Sequence, residues 1–419
     1  MTRHLLVVAA VCLVGGTAYA QDNTELLNRL RAMEDRIKAL EAEVTELKGQ
    51  KAAPEAPAPA VPAAGAPVPA AEAAVATGQP NTSAASQAAA SKVFNPDIAV
   101  IGDFIGIGGH NPLEHNPALE MHESEVAFQA ILDPYARADF FISFGEHGVD
   151  LEEGYLTFPA LPGHFELRAG KMRAAFGKIN TLHNHVLPWV DRPLVTRSLA
   201  GGEDGIDDAG LSLTRILPAP GGLFLEATGQ VFRGDSENVF RSWRANNLST
   251  VGHVHGYRDI SESANVDLGF SYARGASTVA PGLFNNLYDI DTTVRWKPLR
   301  RSIYHSFTGR AEFVWDRNDA RLFSATPLLS QRTPFGYFVS GDYQFARRWF
   351  AGARFDQSER ALNAFQTDKG GAATFTYWPS EFSQVRGEYR NTKYSEGLTA
   401  NEILFQFIFS IGAHGAHPF

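Results

Sequence analysis

The chain has 419 residues, a formal net charge of −9 and a single cysteine. An acidic balance excludes nucleic acid as a partner, because phosphate binding needs a basic footprint. One cysteine excludes a disulfide scaffold and thiolate metal centres.

In chain order, Arg3 and His4 precede an apolar run from Leu5 to Val14 and a small-residue site, Ala18-Tyr19-Ala20. This has the form of a secretory signal peptide over residues 1–20, with Cys12 inside it, so the exported chain is thiol-free. Over residues 21–50, Leu26, Leu30, Met33, Ile37, Leu40, Val44 and Leu47 alternate four and three apart. That spacing is a heptad seam. Arg29, Arg36 and Glu43 at g then face Glu34, Glu41 and Lys48 at e, opposite in sign at all three places, which predicts a parallel periplasmic coiled coil and a homo-oligomer. The side chains at a and d favour a dimer, with a trimer as the alternative. Residues 51–92 are rich in Pro and Ala, with little to bury, and predict a disordered linker. Extended at about 3.1 Å per residue, it reaches roughly 100 Å, far enough to approach peptidoglycan.

From 93 to 419 no apolar run reaches eighteen residues, so no transmembrane helix is expected. Period-two alternation recurs instead. Tyr288, Ile290, Thr292, Val294 and Trp296 oppose Asp289, Asp291, Thr293, Arg295 and Lys297; Ala138, Phe140, Ile142 and Phe144 oppose Arg137, Asp139, Phe141 and Ser143. Residues 307–315, 337–345, 349–356 and 383–390 repeat the pattern, and Phe405, Phe407, Phe409 and Ile411 give the last segment an apolar face ahead of a terminal Phe419. Charges of both signs on the second face suit a wet lumen, and Trp296, Trp315, Trp349 and Trp378 at strand ends suit a membrane girdle. Short links alternate with longer ones, among them Gly109 to Ala118, Lys178 to Asp207, Gly234 to Ser249, Gly275 to Leu287, Arg317 to Thr333, Gln357 to Lys369 and Asn391 to Asn401. Together these predict an all-β transmembrane barrel of about 16 antiparallel strands in the outer membrane, its shell in contact with outer-membrane lipid.

A resemblance can now be stated. A signal, a coiled coil, a Pro/Ala linker and a barrel of this size resemble the outer-membrane porin superfamily that includes the phosphate-selective porins. Phe94-Asn95-Pro96-Asp97-Ile98, Leu182-His183-Asn184-His185 through Trp189, Asp191-Arg192-Pro193, Gly201-Gly202-Glu203-Asp204-Gly205 and the ending from Gly412 to Phe419 resemble a group labelled zinc-regulated or TonB-dependent outer-membrane receptors. The resemblance implies a channel for small hydrophilic or ionic solutes. A TonB-dependent receptor would need about 22 strands and a plug, and nothing before Val93 has a plug's composition.

Residues 178–207 resemble the inward-folding porin loop and offer His183, His185, Asp191, Arg192, Arg197, Glu203 and Asp204 as constriction residues; a solvated outer loop is the alternative. Arg137, Asp139, Asp289, Asp291, Arg310, Glu312, Arg354, Asp356, Arg386 and Glu388 are expected to face the lumen, as mixed pairs rather than an arginine ladder, which argues against phosphate selectivity. His183 with His185, and His253 with His255, stand two apart and are candidate zinc or copper ligands, making divalent metal ions or metal complexes candidate solutes. No cofactor is implied. Two further functions stay open: a closed barrel serving as anchor and cell-wall tether, and a barrel-embedded hydrolase, for which no Gly-x-Ser-x-Gly elbow is present.

Overall fold

A computed structural model of the chain describes residues 96–146, 148–236, 238–319 and 332–412. The signal peptide, the coiled-coil seam, the linker and the residues after Gly412 lie outside the described residues. Sixteen strands run in order: β1 (Asp97–His110), β2 (Leu119–Asp133), β3 (Ala136–Gly145), β4 (Gly148–Leu161), β5 (Phe165–Arg173), β6 (Asp207–Leu217), β7 (Phe224–Phe232) and β8 (Ser249–Ser261). They continue as β9 (Ala264–Ala276), β10 (Phe284–Trp296), β11 (Ser306–Asn318), β12 (Phe335–Ala346), β13 (Trp349–Arg360), β14 (Asn363–Ser380), β15 (Ser383–Lys393) and β16 (Thr399–Gly412). Each pairs antiparallel with its chain neighbours, and β16 pairs with β1 from Ala99↔Gly412 to His110↔Asn401, closing the barrel. No helix among the described residues is long and apolar enough to cross a membrane.

The alternation expected from the sequence sets inside and outside. On β16, Ile403 and Phe405 are 66% and 45% exposed while Leu404 and Gln406 between them are buried. Cross-strand partners share a face, so Asp291↔Glu312 and Thr293↔Arg310 turn inward together while Ile290↔Phe313 turn outward. Aromatic side chains cluster towards the strand ends: Trp349 stacks on Tyr377 at 4.2 Å between centroids, and Trp315 lies 5.0 Å from Phe335. Such side chains suit the lipid headgroup level.

The rim where β1 begins and β16 ends has two-residue turns at 134–135, 262–263, 347–348 and 381–382. The other rim carries the longest connection, 174–206, but also tight links that differ from expectation. Gln357 to Lys369 is not a loop: β13 continues to Arg360 and β14 starts at Asn363. This stretch reads as loop because both its faces are polar, yet strand extending beyond the lipid needs no apolar outward side chains. Arg360 anchors it to Asp368 at 3.0 Å and to Glu396 at 2.7 Å.

A charge placed on the lipid face tests this orientation. Phe405→Arg should disfavour the inserted barrel by about 2–4 kcal/mol if Phe405 is near the bilayer midplane, while Gln406→Glu, on the inner face, should not show that lipid-dependent penalty; folding titrations into lipid vesicles would separate the two.

Candidate functional site

Residues 174–206 turn inward and lie across the barrel interior. The turn begins at Gly177, whose φ is +61° and where a Cβ would come within 2.6 Å of Glu312 Oε1. Only glycine combines that backbone conformation with so close an approach to the wall. The Gly177 N–H donates to Ser271 Oγ at 2.9 Å, and the Lys178 and Ile179 N–H groups donate to Glu312 Oε2 at 3.3 and 3.2 Å. Asn180 ties the two stems: its amide donates to the carbonyls of Ala174 and Ile206 and its oxygen accepts from Ile206 N–H at 2.6 Å. A short helix, α1 (Leu194–Leu199), packs against β11, β12 and β13. Phe176, Ile179, Leu187, Trp189, Val195 and Leu199 join Phe232, Phe240, Leu287, Val314 and Phe338 of the wall and its loops in one apolar cluster. This greasy patch is the main apolar footing of the segment, and Val190 adds a smaller one against Ile105 and Leu404.

Ion pairs fix the rest. Asp191 receives Arg354 at 2.7 Å and Arg390 at 2.6 Å; Arg354 also holds Asp356 at 2.7 Å, and Arg390 holds Glu402 at 2.8 Å. Burial alone would raise the Asp191 pKa, but the two guanidiniums outweigh it and hold the carboxyl well below its usual range. Arg386 donates to the Trp189 carbonyl at 3.0 Å, and Glu388 accepts the Val190 N–H at 2.8 Å. Arg197 on α1 pairs with Glu114 between β1 and β2 at 2.6 Å.

The opposite side of the segment meets β2 and β4 through His183. Its Nδ1 lies 2.7 Å from Glu125 Oε2 and 3.0 Å from Glu152 Oε2; its Nε2 lies 3.0 Å from Glu153 Oε2. Burial favours the neutral ring, but hydrogen bonds to Glu125, Glu152 and Glu153 overcome it and raise the pKa well above the ordinary value. Glu152 and Glu153 can both face it because the β3–β4 register shifts between Phe141 and Ile142, a bulge that turns consecutive side chains inward. Arg173 donates to Glu152 at 2.8 Å.

Of the expected constriction residues, His183, His185, Asp191 and Arg197 meet wall or neighbouring-loop carboxylates and arginines inside the barrel. Arg192 does not present its charge to the lumen: it is buried within the segment, donating to Asn184 Oδ1 at 2.8 Å and to the carbonyls of Ile179 and Leu182. Burial and the nearby Arg173 push its pKa down to about 9, leaving it cationic. The side chains of Glu203 and Asp204 are exposed on a turn.

The expected lumen residues share the inner face, with one correction of pairing. Arg137 pairs with Asp139 at 2.6 Å, but Arg310 pairs with Asp342 at 2.6 Å rather than with Glu312, whose carboxylate is taken by the segment backbone. Arg354, Arg386 and Arg390 gather on one side of the interior, a grouping invisible in the linear order. His253 and His255 stack at 5.6 Å; His253 meets Ser271 at 2.8 Å and His255 lies between Asp267 and Glu226. Glu125, Glu152, Glu153, Arg173, Arg390 and Glu402 were not anticipated as site residues. A signal existed for two of them, since consecutive glutamates at 152–153 break the alternation of β4.

The fold is that of the outer-membrane porins: a closed antiparallel 16-stranded barrel. Similar solved structures include an anion-selective porin from Comamonas acidovorans (11% identical, TM-score 0.52, covering 76% of this chain and 99% of that one) and Pseudomonas putida OprB (10%, 0.53, 78% and 96%). The loop L8 deletion mutant of OmpT, an outer membrane protein of Vibrio cholerae, is a third (10%, 0.51, 76% and 99%). An uncharacterized protein of Aquifex aeolicus is 28% identical over 389 residues, 79% of this chain and 81% of its own length. No family model matches the chain. These likenesses show the fold alone; the receptor label gains nothing from them, and sixteen strands are too few for a barrel of about 22.

Asp191→Ala leaves two arginines without the carboxylate they share, and removing one partner of a buried pair costs about 3–5 kcal/mol. The expected outcome is an undocked segment 174–206, cleaved by added protease in the folded barrel at a rate at least tenfold above wild type. Asp191→Asn should fall between the two.

Proposed function

We propose that the protein is an outer-membrane channel for passive passage of small hydrophilic or ionic solutes, with residues 174–206 as its constriction. The observation that carries this reading is a polar inner wall crossed by a segment fastened on both sides, to β13 and β15 through Asp191 and to β2 and β4 through His183. Pores select ions by charged groups at a narrow place, and the groups near this segment are mixed in sign: Lys178, Asp267, Glu226 and His255 form one connected set. A cleft of about 700 Å³, lined in part by Arg197, Asp235, Asn238, Arg241 and Asn285, provides polar space beside α1. Divalent metal ions or their complexes belong among the solutes to be tried. The coiled coil would join subunits and the linker would let it reach peptidoglycan.

A second reading, a closed barrel serving as membrane anchor and wall tether, is favoured by the number of wall strands the segment engages. Single-channel recording from the full-length protein in planar bilayers separates the two. Stepwise openings, with unit conductance raised severalfold when residues 178–203 are replaced by a short Gly-Ser linker, are expected for the channel. Folded protein that shows no openings would overturn the channel and leave the anchor.

A further inference from the structure

Four carboxylates, Glu123, Glu125, Glu152 and Glu153, converge beneath the segment with His183, His185 and Arg173, and all seven are buried. Arg173 is the one permanent cation facing these four acidic side chains. Carboxylates crowded in a buried cluster are costly unless protons or a bound cation offset them. Glu123 is 7% exposed and its carboxyl meets that of Glu152, with no N–H or hydroxyl donor to it among the described residues. Its ligand atom, with those of Glu125 and Glu152, falls in a group mutually within 4.8 Å.

We infer that Glu125, Glu152, His183 and His185 form a binding site for a zinc-like divalent cation, clamping the segment to the wall. Glu125, His183 and His185 bring their ligand atoms within 4.8 Å of one another. Around Nδ1 of His183 the spacings are 2.7 Å to Glu125 Oε2 and 3.0 Å to Glu152 Oε2, and His185 Nδ1 is 3.7 Å from Glu125 Oε2. Ligand atoms at the corners of a tetrahedron with bonds of about 2.0 Å stand about 3.3 Å apart. The spacings of Glu125 and Glu152 from His183 and of Glu125 from His185 bracket that value, so these pairs already stand near the separation that a shared cation requires.

The surroundings have the form that metal ligands require. Glu153 Oε2 accepts from His183 Nε2 at 3.0 Å, which turns Nδ1 toward the site, and Glu153 Oε1 is itself held by the Arg173 backbone N–H at 2.7 Å. A carboxylate on the far nitrogen fixes the ring and increases its basicity as a ligand. Two imidazoles with two carboxylates favour zinc-like ions over magnesium or calcium, which take all-oxygen shells. The opposite histidine pair differs: both nitrogens of His255 face carboxylates, and His253 is committed to Ser271.

The test uses full-length protein in detergent, stripped with a chelator and titrated with Zn²⁺ by calorimetry and with Co²⁺ by visible absorption. One saturable ion per chain is expected, with the intense absorption of four-coordinate Co²⁺. His183→Gln and Glu125→Gln should abolish both signals, and Glu153→Gln, which touches only the far nitrogen, should weaken Zn²⁺ binding about 10–100-fold. The His253→Ala/His255→Ala double variant should bind as wild type. Heat-dependent gel migration establishes that each variant is folded; if His183→Gln does not fold, His185→Gln takes its place with the same expectation. Wild type without a stoichiometric site, binding that survives both Glu125→Gln and His183→Gln, or binding lost with His253 and His255 would overturn the assignment. Metal binding is read without conductance, so it stands or falls separately from the channel.

Discussion

Backbone hydrogen bonding in lipid is the constraint from which the rest follows. Within the hydrocarbon no water can satisfy an unpaired N–H or carbonyl, and a sheet survives there only if its edges meet. The β1–β16 seam supplies that closure. Closure then dictates side-chain distribution: every second residue faces lipid and must be apolar, and its neighbours face inward, where the acidic and basic residues accumulate. An interior built this way is unsuited to hydrophobic docking over most of its area, so a segment entering it must bring counter-charges.

Residues 174–206 do this unevenly. One part seats Phe176, Leu187 and Trp189 on a local apolar patch; the rest relies on Asp191, Arg197 and His183. Buried ion pairs add little net stability over an apolar replacement, because desolvation offsets the Coulomb gain. What they add here is position. Asp191 meets two arginines from separate strands, and a shift of one strand position would break both pairs. Trp189 shows the two modes in one residue, with its ring edge-on to Phe338 at 5.3 Å and Arg354 4.8 Å above its face.

Much of the fold was legible because a membrane barrel writes itself in period two. The period-two segments 288–297, 307–315, 337–345 and 383–390 fall on β10, β11, β12 and β15, whereas β8, with its Gly252-His253-Val254-His255-Gly256, carries little such pattern. The long β13–β14 hairpin escaped, because strand beyond the lipid loses its apolar face and resembles loop. For the site, the inward loop and His183, His185 and Asp191 could be marked from residue type and resemblance. Their partners could not. Glu125 and Glu153 reach His183 from strands 58 and 30 residues away, and Arg390 reaches Asp191 across 199. No local pattern encodes such meetings; they are consequences of barrel closure and of a bulge whose only trace is two adjacent glutamates. Arg192 erred in the other direction, a charge that looks available in sequence and is consumed by its own loop's carbonyls.

The placement of those partners along the chain also sets how much chain each fastening must close. Asp191 precedes Arg354 and Arg390 by more than 160 residues, so its binding place requires β13 and β15 in the sheet. The His183 contacts to Glu125, Glu152 and Glu153 need only β2 and β4, close by in sequence. Loop-closure entropy grows with the length closed, so the segment is a bar with a near hinge and a far latch.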